Sequence, residues 1–271
     1  MKTILMNAKN LQTVHKQATP CVMALGYFDG VHLGHQQVIN EAREEANNRG
    51  LPLAVMSFRP HPINVLSGGK RLVPHLTTFS EKQTILAELG VDLFYLVEFT
   101  PDFAKLLPKQ FVQDYLVNLK VVHAVAGFDF SYGAKGAAKL NQIVDDSDHK
   151  ITVTKVECHD YKGEKISSTA IRQRLSSANV HEIYHFLGKD YTVKAMWNGR
   201  RFVQLEKKML PASGIYEVEL EFIDHYLKAF ILVHTSGHIK LLEPNVDLMK
   251  GSTIIHWLKN VKSPLASLTT S

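Results

Sequence analysis

Residues 21–57 alternate between apolar runs and a glycine-rich turn, and this order constrains the fold more than any other feature. The apolar run Cys21–Leu25 predicts a buried strand, and a helical repeat that stops at Gly50 predicts a helix after His35. A second apolar run, 53–57, returns the chain to the sheet. A strand, a helix and a strand of this length predict a right-handed crossover in a parallel sheet.

The turn between the first strand and the helix carries two histidines, His32 and His35. Backbone N–H groups at a helix N-terminus and the helix dipole favour a bound anion. Both imidazoles can donate to the same phosphate. Glycines would let the backbone bend and approach a ligand closely; they are Gly26, Gly30 and Gly34. The alternative interpretation is a glycine-rich turn with two surface histidines.

Two later segments place aromatic and polar side chains just after predicted strands. The segment 58–62 follows the run 53–57, and its two prolines hold a rigid loop. The segment 127–133 follows the apolar run 121–126 and combines a carboxylate with aromatic rings, which suits a planar ligand. A stiff turn and a core-plugging loop are the alternatives. Because ligands bind outside the carboxyl ends of parallel strands, the loop 58–62 should share the histidines' edge of the sheet.

A third segment, 166–172, begins a predicted helix with Ser167, Ser168 and Thr169. Hydroxyls at this position cap helices, and capping alone would explain them. Arg172 follows about one turn later. Hydroxyls, helix N–H groups and a guanidinium together would form a cradle for a polyphosphate.

The remaining residues of the first half predict further elements. The segment 80–83 has capping-box spacing and opens a helix that stops at Gly90. A strand is expected at 93–97 and a helix at 111–119. The segment 134–149 carries lysine, glycine and aspartate and predicts an exposed, mobile loop.

Beyond Gly188 the pattern changes to short alternating runs with turn residues between them. They predict a small antiparallel barrel, followed by a helix at 252–261 and a frayed tail at 263–271. At 271 residues the chain is long enough for two domains. We therefore predict an α/β fold in which a Rossmann-like parallel-sheet domain, 1–188, precedes a β-barrel domain, 189–271.

Charge and cysteine content limit the classes of function. The net charge of +5 permits anionic ligands, while the chain lacks the long Lys/Arg run or basic–aromatic stripe of nucleic-acid binders. Cys21 and Cys158 have no disulfide or metal spacing, which favours a reducing compartment. The apolar N-terminal run is too short for a signal peptide, and no run reaches membrane-spanning length. We expect a cytoplasmic protein without nucleic-acid or membrane partners.

Four of these segments, in this order, resemble the FMN adenylyltransferase (FAD synthetase) module of bacterial bifunctional riboflavin kinase/FAD synthetases, in the HxGH nucleotidyltransferase superfamily. The resemblance covers roughly residues 20–188 and is specific because the four motifs keep the family's order. They are Phe-Asp-Gly-Val-His-Leu-Gly-His (28–35), Phe-Arg-Pro-His-Pro (58–62), Gly-Phe-Asp-Phe-Ser-Tyr-Gly (127–133) and Ile-Ser-Ser-Thr-Ala-Ile-Arg (166–172). Ser57, Phe128 and Tyr132 depart from the usual pattern. We expect these departures to tune affinity.

The resemblance implies a reaction in which FMN and ATP give FAD and pyrophosphate with Mg²⁺. The implied catalytic residues are His32 and His35 at the transferring phosphate and Arg172 at the distal phosphates. Further ATP-binding residues would be Gly26, Phe28, Gly30, Gly34, Ser168 and Thr169. Flavin-binding residues would be Phe58, His61, Pro62, Asp129 and Phe130. We expect no protein ligand for a metal.

The second domain departs from the same family. The resemblance implies a riboflavin kinase barrel, and residues 210–216 resemble the start of a kinase strand. The family's Gly-x-Pro-Thr-Ala-Asn run is absent between Tyr191 and Leu210, and no Arg-x-Glu helix follows Leu242. The chain also stops short of the family's long C-terminal helix. We therefore expect a degenerate kinase domain and a monofunctional FAD synthetase, monomeric or weakly oligomeric.

Two alternatives stay open. The chain could be a flavin- or nucleotide-binding regulator that has lost turnover. It could also be an HxGH nucleotidyltransferase with another phosphate acceptor.

Overall fold

A computed structural model describes residues 1–242 and 249–261, which form two compact units. The sheet unit comprises residues 1–73 and 79–159, and the barrel unit comprises residues 74–78 and the described residues from 160 onward. Packing therefore divides the chain at 159/160 rather than at 188. The functional division at 188 stays a prediction.

The sheet unit is built on a six-stranded parallel sheet in the order β1-β4-β3-β2-β5-β8, with a separate β6–β7 hairpin. Its strands are β1 (Lys2–Met6), β2 (Cys21–Leu25), β3 (Leu53–Arg59), β4 (Leu93–Glu98), β5 (Val121–Gly127), β6 (Ser131–Tyr132), β7 (Ala138–Lys139) and β8 (Thr152–Val156). Its helices are α1 (Leu11–Gln17), α2 (Leu33–Arg49), α3 (Pro62–Leu66), α4 (Phe79–Glu88), α5 (Pro108–Val112) and α6 (Gln142–Asp146).

The central strand β2 explains why its sequence is continuously apolar. All five of its residues are buried, and alternate residues face two hydrophobic clusters. Met23 packs into one cluster, while Val22 and Ala24 pack into the other. A parallel strand covered on both faces takes such a composition. The predicted crossover is confirmed, since α2 joins the parallel neighbours β2 and β3.

The strand order creates a switch point beside β2. From β2 the chain builds outward through β3 and β4, and it then returns to place β5 on the opposite side of β2. In open α/β sheets of this kind, ligands bind outside the carboxyl ends of the strands at such a reversal. The expected ligand edge is therefore the one where Leu25 and Gly127 end their strands.

The expectation of a mobile loop at 134–149 is wrong. These residues form a 3₁₀ turn at 134–136, β7 and α6, and they bury Ala138, Leu140 and Ile143. The hydroxyl of Tyr132 donates to the Asp146 carboxylate at 2.6 Å, which joins this segment to β6. The apolar residues are too few to give a helical or strand repeat, which hid the structure.

The barrel unit combines a closed barrel of six antiparallel strands with two short helices. The barrel order is β11-β12-β15-β14-β13-β16. The elements are β9 (Asp160–Tyr161), β10 (Glu164–Lys165), α7 (Ser168–Ser176), α8 (Tyr184–Leu187), β11 (Tyr191–Trp197), β12 (Phe202–Gln204), β13 (Gly214–Glu221), β14 (Tyr226–Val233), β15 (Ile239–Leu241) and β16 (Gly251–Val261). Both tryptophans of the chain, Trp197 and Trp257, are buried in the barrel strands.

The expected helix at 252–261 is wrong, because these residues form β16. Thr253, Ile255 and Trp257 are buried while their neighbours are more exposed. This period of two is typical of a half-buried strand. The tail 263–271 lies outside the described residues. Within the part of the chain that the structure describes, no helix has the length and apolar content to cross a membrane.

Candidate active site

Three of the predicted loops meet at the expected edge of the sheet. Leu25 at the end of β2 pairs with Met56 in β3 and with Ala126 in β5. The loops that follow these parallel strands therefore leave the sheet on the same side. The histidine turn and the proline loop share this edge, as the sequence predicted, and the segment 128–133 leaves β5 at the same edge.

The two histidines of the turn lie side by side at the start of α2. His32 is the N-cap, and its Nδ1 accepts a hydrogen bond of 3.3 Å from the backbone N–H of His35. Their rings stack with centroids 3.6 Å apart. Because Nδ1 of His32 accepts, a neutral His32 ring carries its proton on Nε2. That nitrogen is thereby a hydrogen-bond donor, beside the N-terminus of a 17-residue helix.

The turn is strained and is held by its own buried side chains. Phe28 and Val31 have φ values of 53° and 40°, in the left-handed region that such residues avoid. Each such residue costs about 1–3 kcal/mol, and the conformation persists only where the surrounding packing offsets that cost. Both side chains are 1% exposed and pack in the sheet core. A Cβ on Gly26 would lie 2.9 Å from the Phe28 ring, so the turn requires glycine there.

Tyr27 links the turn to the proline loop. Its ring lies 4.3 Å from the ring of His61, and the next residue, Phe28, packs edge-on against His35 at 5.2 Å. His61 is the N-cap of α3 and accepts at Nδ1 from the Ile63 N–H at 3.1 Å. Its neutral ring therefore also carries the proton on Nε2.

A cavity of about 880 Å³ opens in the sheet unit beside this loop. Its wall is mainly apolar and includes several aromatic rings, with lysines at Lys105 and Lys135. The aromatic lining residues are Tyr27, Phe58, Phe99, Phe103, Phe111, Phe130 and Tyr132. A concave apolar site with few polar groups suits a large planar ligand. Among the predicted flavin-binding residues, Phe58, Pro62 and Phe130 line the cavity, whereas His61 and Asp129 lie outside its lining.

Lys82 is a buried residue that the sequence analysis missed. Its side chain, 8% exposed, extends from α4 and donates to the Tyr27 carbonyl at 2.9 Å and to Ser57 Oγ at 3.3 Å. Burial lowers the pKa of Lys82 to about 8, and the nearby Asp29 carboxylate opposes the shift. The signal was present, since Lys82 and the buried Leu86 share one face of a helix at a spacing of four.

Lys82 should give the stability of the sheet unit a pH dependence. Its pKa is about 8 when folded and 10.5 in the unfolded reference, so unfolding takes up a proton between these values. Its contribution to the unfolding free energy therefore rises with pH, by on the order of 3 kcal/mol across the window. Calorimetry of the wild type and Lys82→Met below about pH 8 and near pH 10.5 checks this. A difference between the two proteins that does not change with pH would contradict it.

The hydroxyl motif lies at the start of α7 in the barrel unit. Ser167 is the N-cap and accepts from the Ala170 N–H at 3.2 Å. Ser168 and Thr169 form the first turn, and Arg172 donates from Nε to the Pro74 carbonyl at 3.1 Å. Capping by Ser167 is confirmed, while Ser168 and Thr169 lie inside the helix. Convergence of these residues with His32 and His35 stays a prediction.

Arg174, on the same helix, has a structural role. Its guanidinium makes two hydrogen bonds to the Glu164 carboxylate, 3.0 and 2.7 Å long, and an ion pair of 2.9 Å with Glu182. It also lies 4.0 Å from the centroid of the Phe186 ring. The hydrogen bond to Arg174 lowers the pKa of Glu164. Arg174 therefore fixes α7 within its unit.

A protein cage for a metal is missing from the described residues. Within residues 1–242 and 249–261, no group of three or more His, Cys, Asp or Glu side chains could hold an ion. Mg²⁺ commonly binds through substrate phosphates with few protein ligands.

Comparison with known proteins gives a consistent family. A family model described as FAD synthetase matches residues 14–170. A bifunctional riboflavin kinase/FMN adenylyltransferase of Listeria monocytogenes is 47% identical over 64% of this chain, but that match spans only 55% of the Listeria protein. A Bacillus subtilis protein of the same name is 35% identical over 92% of this chain and 87% of its own length.

Two further proteins are similar to this chain over most of its length. A Listeria monocytogenes protein named FAD synthetase is 32% identical over 76% of this chain and 83% of its own length. A crystal structure from Streptococcus pneumoniae, titled as a macrolide-efflux protein, has a TM-score of 0.83 and 28% identity over 97% of this chain and 91% of that one. The family model matches more than half of the 271 residues, and the Bacillus subtilis protein aligns with nearly all of them. This chain therefore belongs to the FAD synthetase family.

Proposed function

We propose that this chain is an ATP:FMN adenylyltransferase that forms FAD and pyrophosphate. One observation carries the proposal. A single short turn lines an aromatic cavity with Gly26 and Tyr27, and the residue that follows packs on His35 of the stacked histidine pair. A planar ring and a phosphate would therefore bind at opposite ends of the same turn.

The reaction is an in-line transfer. A phosphate oxygen of FMN attacks the α-phosphorus of ATP and forms the new P–O bond. The bond from that phosphorus to the bridging oxygen breaks, and pyrophosphate leaves with its electron pair. Both reactants are anions, so the protein contributes by aligning them and by stabilising charge on the phosphoryl oxygens.

The histidine pair would bind the α-phosphate of ATP. The Nε2–H of His32 is held as a donor by the hydrogen bond at its other ring nitrogen. Stacking at 3.6 Å keeps the His35 ring beside it. The N-terminus of α2 adds its dipole and N–H groups, which favour the growing negative charge. Gly30 lies in the turn and Gly34 in the first turn of α2, and both would admit the nucleotide.

The remaining phosphates would be bound by Ser168, Thr169 and Arg172. A hydroxyl pair in the first turn of α7 and a guanidinium on the same helix can together bind the β- and γ-phosphates. Mg²⁺ bound to the triphosphate supplies further neutralisation of charge when present. Convergence of these residues on the histidine pair is part of the proposal.

The isoalloxazine ring would occupy the aromatic cavity. Phe58, Pro62 and Phe130 line it and would contact the ring faces. His61, beside Tyr27, and Asp129, exposed after β5, would contact the polar parts of FMN. This assignment favours FMN over smaller phosphate acceptors because the lining is apolar and the cavity is about 880 Å³.

Incubation with FMN, ATP and Mg²⁺, followed by chromatographic detection of FAD and pyrophosphate, tests the proposal. Parallel reactions with nicotinamide mononucleotide and phosphopantetheine test the acceptor. FAD as the main product supports the assignment. Binding of FMN and ATP without product identifies a regulator. Product formation only with another acceptor identifies a different transferase.

We predict that the barrel has no riboflavin kinase activity. The sequence between Tyr191 and Leu210 lacks the Pro-Thr-Ala-Asn run that the resemblance requires. With riboflavin, ATP and Mg²⁺ we expect neither FMN nor FAD, while the same preparation converts FMN to FAD. Phosphorylation of riboflavin in that assay would show a functional kinase.

We also propose a cytoplasmic monomer or weak oligomer that needs no nucleic-acid partner. The ordinary composition and the small anionic substrates support this view. Light scattering during size-exclusion chromatography, with and without added RNA, tests it. A stable higher oligomer or a nucleic-acid complex would contradict it.

A further inference from the structure

Lys82 is a buried cation that contacts the backbone carbonyl of Tyr27. This carbonyl lies between the flavin cavity and the histidine pair of the proposed site. Its Nζ donates to the Tyr27 oxygen at 2.9 Å, and Ser57 Oγ donates to the same oxygen at 2.7 Å. Nζ also lies 4.8 Å from the centroid of the Tyr27 ring. The carbonyl therefore accepts two hydrogen bonds, one of them from an ammonium group.

The position of this carbonyl decides the path of the turn. Before it, Gly26 and Tyr27 line the cavity, and after it the Phe28 backbone enters the left-handed region at φ 53°. A rotation of the peptide that contains the Tyr27 carbonyl would move the Phe28 ring, which packs on His35. The hydrogen bonds of Lys82 and Ser57 oppose that rotation.

If Lys82 served only to pack against the Tyr27 carbonyl, a buried lysine would be an unfavourable choice of side chain. Burial disfavours its charged form, and Asp29, 1% exposed, only partly compensates for the lost hydration. An apolar side chain of similar volume would avoid that cost. The ammonium is better explained by the stronger, directional hydrogen bond that it gives.

We infer that Lys82 is a positioning residue for adenylyl transfer: its ammonium fixes the Tyr27 carbonyl and thereby sets the histidine pair relative to the flavin cavity. The inference rests on the proposed function. Lys82 is not a lining residue of the cavity and touches no reactant in this scheme. It acts through the turn.

Steady-state kinetics of Lys82→Met and Lys82→Arg test the inference. A misplacement of the histidines by an ångström is expected to lower kcat by about 100-fold. The KM for ATP should stay within about threefold, because the groups that bind ATP are retained. Lys82→Arg keeps a charged donor and should recover at least about a tenth of the wild-type kcat. Lys16→Met, an exposed lysine on α1, is the matched control and should behave as the wild type.

The outcomes separate this inference from the proposed function. If the wild type makes FAD and Lys82→Met keeps its kcat, or Lys82→Arg is no better than Lys82→Met, the positioning role is wrong and the function stands. If the wild type makes no FAD, both the proposed function and the positioning role of Lys82 are wrong. Should Lys82→Met fail to fold, Ser57→Ala decides, since it removes the second donor to the same carbonyl. Its kcat should fall about fivefold, and an unchanged kcat would overturn the inference.

Discussion

His35→Ala is expected to lower kcat for FAD formation by about 100- to 1000-fold, the usual effect of losing one donor to a transition-state oxyanion. The folded protein should persist, because the variant keeps the backbone N–H of residue 35 that His32 caps. Measurement of kcat from FAD production, together with a far-ultraviolet circular dichroism spectrum, separates the two effects. His159→Ala, an exposed histidine of the sheet unit, is the control.

The variant His32→Ala is expected to lose stability as well as turnover. His32→Ala should lose a similar part of kcat and, in addition, about 1 kcal/mol of unfolding free energy, because it removes the N-cap of α2. The stacked pair acts as a unit, so the double variant should be little slower than either single one. Near-normal turnover in His35→Ala would remove the pair from the mechanism.

Arg172→Ala is expected to lower kcat/KM for ATP by about 100-fold, since a guanidinium on the distal phosphates contributes a few kcal/mol. The unfolding temperature should stay nearly unchanged, because the Arg172 side chain is only partly buried. Initial rates over a range of ATP concentrations at saturating FMN measure the effect. Unchanged ATP kinetics would refute the proposed convergence of Arg172 with the histidines.

Arg174, two residues further along the same helix, supplies the contrast. Arg174→Ala should destabilise the barrel unit by roughly 1–2 kcal/mol, because it breaks partly exposed ion pairs with Glu164 and Glu182. The kcat of the folded fraction should stay near that of the wild type. A variant that retains its unfolding temperature but loses catalysis would place Arg174 in the reaction instead.

The parts of the fold that the sequence predicted are those with local signals. The run Cys21–Leu25, the capped helix after it and the stop at Gly50 need no distant information. The barrel strands up to Leu242 also had alternating runs and turn residues. The segment 252–261 failed because its apolar residues fit both periods, and only pairing with β11 and β13 decides for the strand.

The site residues, too, were predicted where the signal in the sequence is local. Motif residues such as His32 and Phe58 were identified from short stretches, and the structure places them at one edge of the sheet. Lys82 was missed because its partners, Tyr27 and Ser57, are 55 and 25 residues away along the chain. The spacing of four between Lys82 and Leu86 placed Lys82 on the buried face of α4 but gave no sign of these contacts. Only the tertiary fold shows which groups Lys82 meets.

The confinement of both tryptophans to the barrel has a practical consequence. Tryptophan fluorescence, excited selectively, will report the unfolding of the barrel unit but not that of the sheet unit. If FMN binds in the aromatic cavity as proposed, flavin fluorescence will monitor the sheet unit. Tryptophan and flavin fluorescence together would then report on the barrel unit and the sheet unit separately, without any added label.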